Sequence, residues 1–316
     1  MPMAATAAIS VVVPCYNAAA WIVGTLRSIY AQDWPNLEVL VVDDGSQDDS
    51  VARIKQAFPQ TTVLQQANAG VAAARNAGIQ AAAGQWVAFI DADDHWLPGK
   101  LRAQMDLLSA WPEARMAYTS WQTWHSDLPD PPRQLLDTLR QQDSDAARWD
   151  GPSGWIYPEL LLGCRVWTST VVMHRSLLDE LGGFDPTLKI GEDYDLWLRA
   201  SRVTPILRVK RPLALYRLHP NSLTKQDPVM NYEAAVVERA ISQWGYTTLE
   251  GRSACKTDVR RSLARTWHAF GEANLATGRP RTGLLAARRA LRDDWRNLGA
   301  WKLMLKALCR SAWRPR

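Results

Sequence analysis

The chain offers little for several common chemistries. Its four cysteines, Cys15, Cys164, Cys255 and Cys309, are scattered without a CxxC pair or metal-ligand spacing. This argues against a cysteine-built zinc site or a disulfide framework and fits a reducing compartment. No run of about 18 apolar residues occurs, so no membrane-crossing helix is expected. The stretch from Met1 to Ile9 lacks a basic n-region, and the apolar run Ile9 to Val13 is too short for a signal-peptide core. A cytoplasmic location is expected, peripheral at the inner face of the cell membrane if something holds it there. No internal repeat is evident.

What is present is apolar mass and an uneven charge. The 316 residues are 47% apolar and include 16 tryptophans, enough for a substantial core in one large domain or two smaller ones. The net charge of +5 conceals an asymmetry. From Arg252 to Arg316, 16 Lys/Arg stand against four Asp/Glu, whereas the remainder holds 21 basic and 28 acidic residues. The two parts are expected to meet different partners.

The first ninety residues alternate short β-rich runs (Ile9–Val13, Leu37–Val42, Thr61–Gln65, Trp86–Ile90) with helical patterns near Ala18–Ala31, Asp48–Phe58 and Gly70–Ala82. Such alternation predicts βαβ units and a parallel sheet covered on both faces. Ligands of such sheets bind beyond the carboxyl ends of the strands. Three polar clusters fall there: Pro14-Cys15-Tyr16-Asn17, Asp43-Asp44-Gly45-Ser46 and Asp91-Ala92-Asp93-Asp94. The middle is less regular. Pro129, Pro131, Pro132 and the polar stretch Gln141 to Gly154 read as a long excursion. A strand at Thr170–His174, a Gly182-Gly183 turn, a helix near Asp193–Ser201 and short strands near Ile206–Val209 and Ala214–Arg217 follow. From Asp227 the pattern is helical, broken near Gly245–Gly251, Gly278–Pro280 and Asn297.

The acidic cluster at 91–94 is the strongest local signal. Two unit charges about 4 Å apart repel by roughly 4 kcal/mol at an effective dielectric near 20. In extended backbone, Asp91 and Asp93 would point to the same side, where a hard cation such as Mg²⁺ or Mn²⁺ would relieve the repulsion. A solvated acidic turn is the ordinary alternative. At the second cluster, Asp43 or Asp44 can accept from a base or a ribose while Ser46 or Asp48 caps the next helix.

Taken in order, these clusters carry a resemblance. Val13-Pro14-Cys15-Tyr16-Asn17, Val41-Val42-Asp43-Asp44-Gly45-Ser46, Gly70 to Gly78 and Phe89-Ile90-Asp91-Ala92-Asp93-Asp94 are followed by Gly182-Gly183-Phe184-Asp185, Gly191 to Arg199 and Tyr216-Arg217-Leu218-His219. Together, over residues 9 to 224, they are similar to the family 2 glycosyltransferases with the GT-A fold. The excursion near 121–154 and the chain beyond 227 fall outside the match.

The resemblance implies an α/β fold, a Rossmann-like nucleotide-sugar-binding sheet with helices on both faces, plus a helical C-terminal extension. It divides the chain into a catalytic domain, 1–224, and a basic helical region, 225–316. It implies metal-dependent, inverting transfer from a nucleotide-diphosphate sugar, with a UDP-sugar favoured, to a saccharide or lipid-linked saccharide in bacterial surface-polysaccharide or glycolipid assembly. Carried over by position, Pro14, Tyr16, Asn17 and Asp43 or Asp44 frame the nucleoside, and Arg75 sits by the base or phosphates. Asp91 lies by the ribose and the metal, Asp93 coordinates the metal, and Arg217 and His219 serve the diphosphate, His219 also as a metal ligand. Asp193 is the expected base and Glu192 its neighbour, the adjacent like charges raising one pKa. The ordinary alternative for Glu192 and Asp193 is a first-turn pair complementing a helix dipole.

Lys100 reads as a surface residue. Trp121, Trp124, Trp155 and Trp167 read either as core or as a platform for sugar rings. A dinucleotide oxidoreductase would carry GxGxxG in its first turn, and a phosphatase with a DxD nucleophile would place it after the first strand. A non-catalytic nucleotide-sugar-binding relative, the remaining alternative, would be expected to lose acidic positions that are intact here.

In the tail, Trp301, Leu305, Leu308 and Ala312 share one side of a helix beside a row of Lys302, Lys306 and Arg310. Either this helix lies on an anionic membrane surface or it packs on the catalytic domain with a solvated basic face. Nucleic acid is not expected, because no recognition motif accompanies the charge.

Overall fold

The computed structural model describes residues 8–125, 130–141, 151–219 and 230–312. The chain divides into two compact units, Met1–Ile156 with Arg165–His219, and Tyr157–Cys164 with Pro220–Arg316. The boundary expected at 224/225 lies outside the described residues.

The first unit is built on one sheet. Strands β1 (Ile9–Cys15), β2 (Leu37–Asp43), β3 (Thr62–Gln65) and β4 (Trp86–Phe89) alternate with helices α1 (Ile22–Tyr30), α2 (Ser50–Ala57) and α3 (Val71–Ala81). Strands β5 (His95–Trp96), β6 (Met116–His125), β7 (Val172–His174) and β8 (Ile206–Leu218) complete it in the order β3-β2-β1-β4-β7-β6-β8-β5. β1 pairs in parallel with β2 and β4, and β2 with β3, which is the expected parallel half. β1 is buried along its whole length and apolar apart from Ser10, as suits a strand covered on both faces. The register sets Cys15 opposite Asp43 and Val12 opposite Phe89, so the loops after β1, β2 and β4 open at one edge. The strand order reverses between β1 and β4, a switch point where such sheets form a crevice.

The second half of the sheet departs from expectation. β6, absent from the sequence reading, runs ten residues, and its first five are buried, so no period-2 alternation marks it. The two short strands expected near 206–209 and 214–217 are a single strand, β8. Its register against β6 shifts around Thr119–Trp121: Lys210 and Arg211 are taken up before Pro212, which lies opposite Ser120, and Leu213 after it. Proline lacks the N–H a ladder needs and is tolerated at such a bulge. Helix α4 (Lys100–Ala110) was likewise not foreseen, and the expected excursion contains a helix, α5 (Arg133–Gln141). Residues 126–129 and 142–150 of that excursion lie outside the described residues. Short α6 (Tyr157–Leu160), α7 (Arg175–Leu181) and α8 (Glu192–Ala200) follow in the chain.

The second unit holds α6 and helices α9 (Tyr232–Trp244), α10 (Lys256–Ala276), α11 (Pro280–Asp293) and α12 (Leu298–Ala312). The Tyr157 hydroxyl donates to the Gly245 carbonyl at 2.8 Å. Alanines pack the later helices together, with Ala264, Ala290 and Ala300 fully buried.

Candidate functional site

The loops after β1 and β2 are laced to each other. Asn17 adopts a left-handed backbone (φ 50°), its N–H donates to Ser46 Oγ at 2.9 Å, and its Oδ1 accepts from Gln47 N at 2.8 Å. Pro14 is buried within β1, whereas the Tyr16 ring stands 52% exposed beside it. The two aspartates after β2 have different duties. Asp44 accepts from Gln66 Nε2, Ala69 N and Gly70 N at 2.7 to 2.9 Å, which anchors the turn into α3. Asp43 makes only two long bonds, both 3.3 Å, to Ser46 N and Gln65 Nε2. Asp43 is therefore the better candidate to accept from a ligand. Asp48 Oδ1 accepts from Ser50 N, the first N–H of α2, from one position before the N-cap Asp49.

Residues 91–94 form a turn in which Asp94 N donates to the Asp91 carbonyl at 3.1 Å. The backbone is not extended here, so Asp91 and Asp93 do not share a side. Asp91 turns to Arg75 (Nη2 to Oδ1, 2.7 Å) and Asp93 turns to His219 (Oδ2 to Nε2, 2.9 Å). The expected trio Asp91, Asp93 and His219 is thus not assembled. Among the described residues no group of three His, Cys, Asp or Glu side chains is placed to hold a metal ion. The Asp93–His219 pair still suits a cation that takes its other ligands from water and phosphate, which is how Mg²⁺ and Mn²⁺ are commonly held. Trp21 stacks on the imidazole at 4.0 Å between centroids and fixes its plane.

Asp94 points inward. It is fully buried, accepts from Ser169 Oγ at 2.5 Å and from Arg217 N at 3.1 Å, and burial beside Asp93 and Asp91 pushes its carboxyl well above the usual range. Ser169 Oγ also accepts from Asp91 N at 3.0 Å. Arg217, expected at the phosphates, is instead fully buried: Nε donates to the Asp93 carbonyl at 2.6 Å and the guanidinium lies 4.0 Å from the Trp124 ring centre. Burial of Arg217 thus supports the acidic turn from behind. Lys100 is also fully buried rather than superficial. Its ammonium reaches Gln104 Oε1 at 2.8 Å and sits over Trp96, and loss of hydration holds its pKa well below the ordinary lysine value.

Arg75 links three elements. From α3 it holds Asp91 at the end of β4 and Glu192 in the first turn of α8 (Nη1 to Oε1, 2.6 Å). Burial raises Asp91 despite the guanidinium beside it. Burial, followed by the charge of Asp193, pushes Glu192 up to about 7. Of the acidic pair, Glu192 is buried and Asp193 is half-buried. Asp193 Oδ2 accepts from Thr168 Oγ1 at 2.8 Å and Oδ1 from Tyr194 N at 2.7 Å. Gly191, in a left-handed conformation (φ 84°), starts this helix.

The sequence reading missed Trp21, Thr168 and Ser169. The Thr168-Ser169-Thr170 run immediately before the apolar Val171-Val172-Met173 was the available signal, since a polar cluster beside a buried strand needs partners. Of the four tryptophans singled out, Trp124 is core. Trp121 and Trp167 join Tyr216 in a half-buried aromatic cluster with ring centres 4.7 to 6.1 Å apart.

Residues 10–142 match the model of the family "Glycosyl transferase family 2". The amylovoran biosynthesis glycosyltransferase AmsB of Erwinia amylovora is 31% identical over 221 residues, 66% of this chain and 69% of that protein. An uncharacterized glycosyltransferase of Rickettsia felis is 27% identical over 222 residues, 70% of this chain and 34% of that protein, so the chain spans about a third of the length of the first curated relatives it matches. Among solved structures, S. aureus TarS in complex with UDP-GlcNAc aligns with a TM-score of 0.58 at 14% identity, covering 98% of this chain and 93% of that one. The mannosyltransferase PcManGT of Pyrobaculum calidifontis, in complex with GDP-Man and Mn²⁺, aligns with a TM-score of 0.52 at 21% identity, covering 98% and 81%. The sheet, its crevice and these likenesses together give a GT-A fold followed by C-terminal helices, and the chain belongs to glycosyl transferase family 2.

Proposed function

We propose that the chain is a metal-dependent, inverting glycosyltransferase working from a nucleotide-diphosphate sugar, with a UDP-sugar favoured. Its acceptor is a hydroxyl of a saccharide or lipid-linked saccharide in bacterial surface-polysaccharide or glycolipid assembly, a setting supported by the name of the AmsB relative. Residues 1–224 act as the catalytic domain and 225–316 as a basic extension that brings the enzyme to the inner face of the membrane. The observation that supports the reading is the Arg75 bridge from Asp91 to Glu192, which ties the acidic turn carrying the Asp93–His219 pair to the helix start that carries Asp193.

Tyr16, Asn17 and Asp43 frame the nucleoside, with Pro14 shaping the strand end behind them and Asp44 holding the loop. Asp93 and His219 are the residues that would hold Mn²⁺ or Mg²⁺, which when bound supplies Lewis-acid charge to the leaving diphosphate. Arg75 acts as a positioning residue for Asp91 and Glu192. Asp193, oriented by Thr168 and by its neighbour's N–H, takes the proton of the acceptor hydroxyl. The acceptor oxygen bonds the anomeric carbon as the bond to the diphosphate breaks, so one displacement inverts the centre.

Removing a general base lowers turnover by about 10²- to 10⁴-fold. Asp193→Asn is therefore expected to lose transfer by that order, measured as nucleoside diphosphate release with acceptor, while retaining donor binding by calorimetry. Full turnover in the variant would overturn the assignment.

A further inference from the structure

Helix α12 is apolar on two sides, and only one is used inside the unit. Ala300, Leu303 and Ala307 are fully buried, and Gly271 of α10 permits the close approach, since a Cβ there would lie 2.4 Å from Leu303 Cδ2. A helix packed in this way needs no second apolar face. Yet Leu298 (73% exposed), Trp301 (44%), Leu305 (61%) and Leu308 (45%) recur in steps of three and four on the solvent side. Trp295, 69% exposed, precedes them, and its carbonyl accepts from Trp301 Nε1 at 2.9 Å, which ties the Trp301 indole to the backbone of Trp295.

Cations border this stripe. The Arg296 guanidinium lies 5.4 Å from the Trp295 ring centre, and Lys302 is exposed next to Trp301. Lys306, bridged to Glu272, and Arg310, bonded to the Leu275 carbonyl, continue the row between the stripe and the buried side. No Asp or Glu occurs from Trp295 to Arg316. A second copy seated on the stripe would bring two cationic rows together with no acidic complement on this helix. An anionic bilayer supplies both an apolar layer and the opposite charge. At 15 residues the helix is too short to cross a bilayer, which takes about 20, but it fits an in-plane position with its apolar side sunk about 5–10 Å at the headgroup boundary.

We propose that α12 is a membrane-docking helix that inserts the stripe of Trp295, Leu298, Trp301, Leu305 and Leu308 into an anionic lipid surface. This names the surface and partner of the basic extension and rests on the glycosyltransferase reading only for its purpose, because lipid binding is measured without turnover. Within its own unit the helix packs one side against α10, and the other side is the one that docks.

The test is flotation of the full chain with phosphatidylcholine vesicles with and without phosphatidylglycerol. The wild type is expected to float with the anionic vesicles, and less so at high salt. Trp301→Ser with Leu305→Ser should weaken this about tenfold or more, and Arg296→Gln with Lys302→Gln should weaken it selectively at low salt. Both pairs are exposed, so melting temperatures near the wild type confirm folding. Absence of wild-type binding, or unchanged binding in both variants, would overturn the proposal. So would a lipid-free dimer, seen by sedimentation, that the Trp301/Leu305 variant dissolves. Loss of donor binding and transfer with flotation intact would count instead against the glycosyltransferase reading alone.

Discussion

Glu192 shows how burying one carboxyl costs the fold. Its carboxyl, ordinarily ionised near 4.5, holds its proton to about 7 because burial and Asp193 outweigh the Arg75 contact. Between those values the folded state keeps a proton that the unfolded state has released, so the Glu192 contribution to stability falls as pH rises from 4.5 to about 7, then levels. Asp91 and Asp94, also raised, act in the same direction. Glu192→Gln removes the first contribution. Thermal melts from about pH 5 to about pH 8 should show a shallower fall in the variant, by a differential on the order of 2 kcal/mol. The slope decides the outcome, since losing the Arg75 contact shifts the absolute melting temperature. The identity of Glu192 and Asp193 as an acidic pair was legible in the sequence. Which of them is buried was not, because that depends on Arg75, 117 positions away.

At the scale of elements, the join of α7 to α8 sets where that pair begins. Gly183 has φ +72°, and a Cβ on it would lie 2.5 Å from Asn76 Oδ1. The Asn76 amide clasps Phe184, accepting from its N–H at 2.9 Å and donating to its carbonyl at 2.7 Å, and Arg199 Nη2 bonds the Gly183 carbonyl at 2.8 Å. Gly182 has nearly the same φ, +73°, with open space around its missing Cβ. Gly182→Ala should therefore cost only the left-handed backbone strain, about 1–2 kcal/mol. Gly183→Ala adds the clash and should cost about 3 kcal/mol or more. Urea midpoints of the two variants give the comparison, and equal losses would show that Asn76 yields freely. The Gly182-Gly183 turn was readable as a turn. Its clasp by α3 was not, because Asn76 is one polar residue among several in an alanine-rich helix.

For the whole molecule, function reduces to what stabilises the native state. A ligand bound to the native state alone adds about 2.7 kcal/mol at a hundred times its dissociation constant, which for a chain of this size corresponds to a rise of several degrees in melting temperature. Across a panel of nucleoside diphosphates and their sugars, a UDP-sugar with Mn²⁺ should raise the melting temperature most. Chelation, or Asp93→Ala, should remove that increment. An equal rise with the chelator present would take the metal out of donor binding. The charge asymmetry between the tail and the remainder also belongs to this scale and was visible as composition. The row of Trp301, Leu305 and Leu308 was visible too, but that it faces outward was not, because that depends on α10 packing against Leu303 on the other side.

The sequence by itself determined the parallel half of the sheet, because alternating apolar runs and helical periods are local and additive. It also set clusters of charged residues at the strand ends, where they cannot be buried without partners. Tertiary structure decided everything that depends on who those partners are. It set Asp44 and Asp94 to hold loops, turned Asp93 to His219, buried Lys100 and Arg217, and joined β8 into one strand across a proline. Each outcome rests on contacts between positions far apart in the chain, and no local pattern encodes which of several similar groups will reach them first.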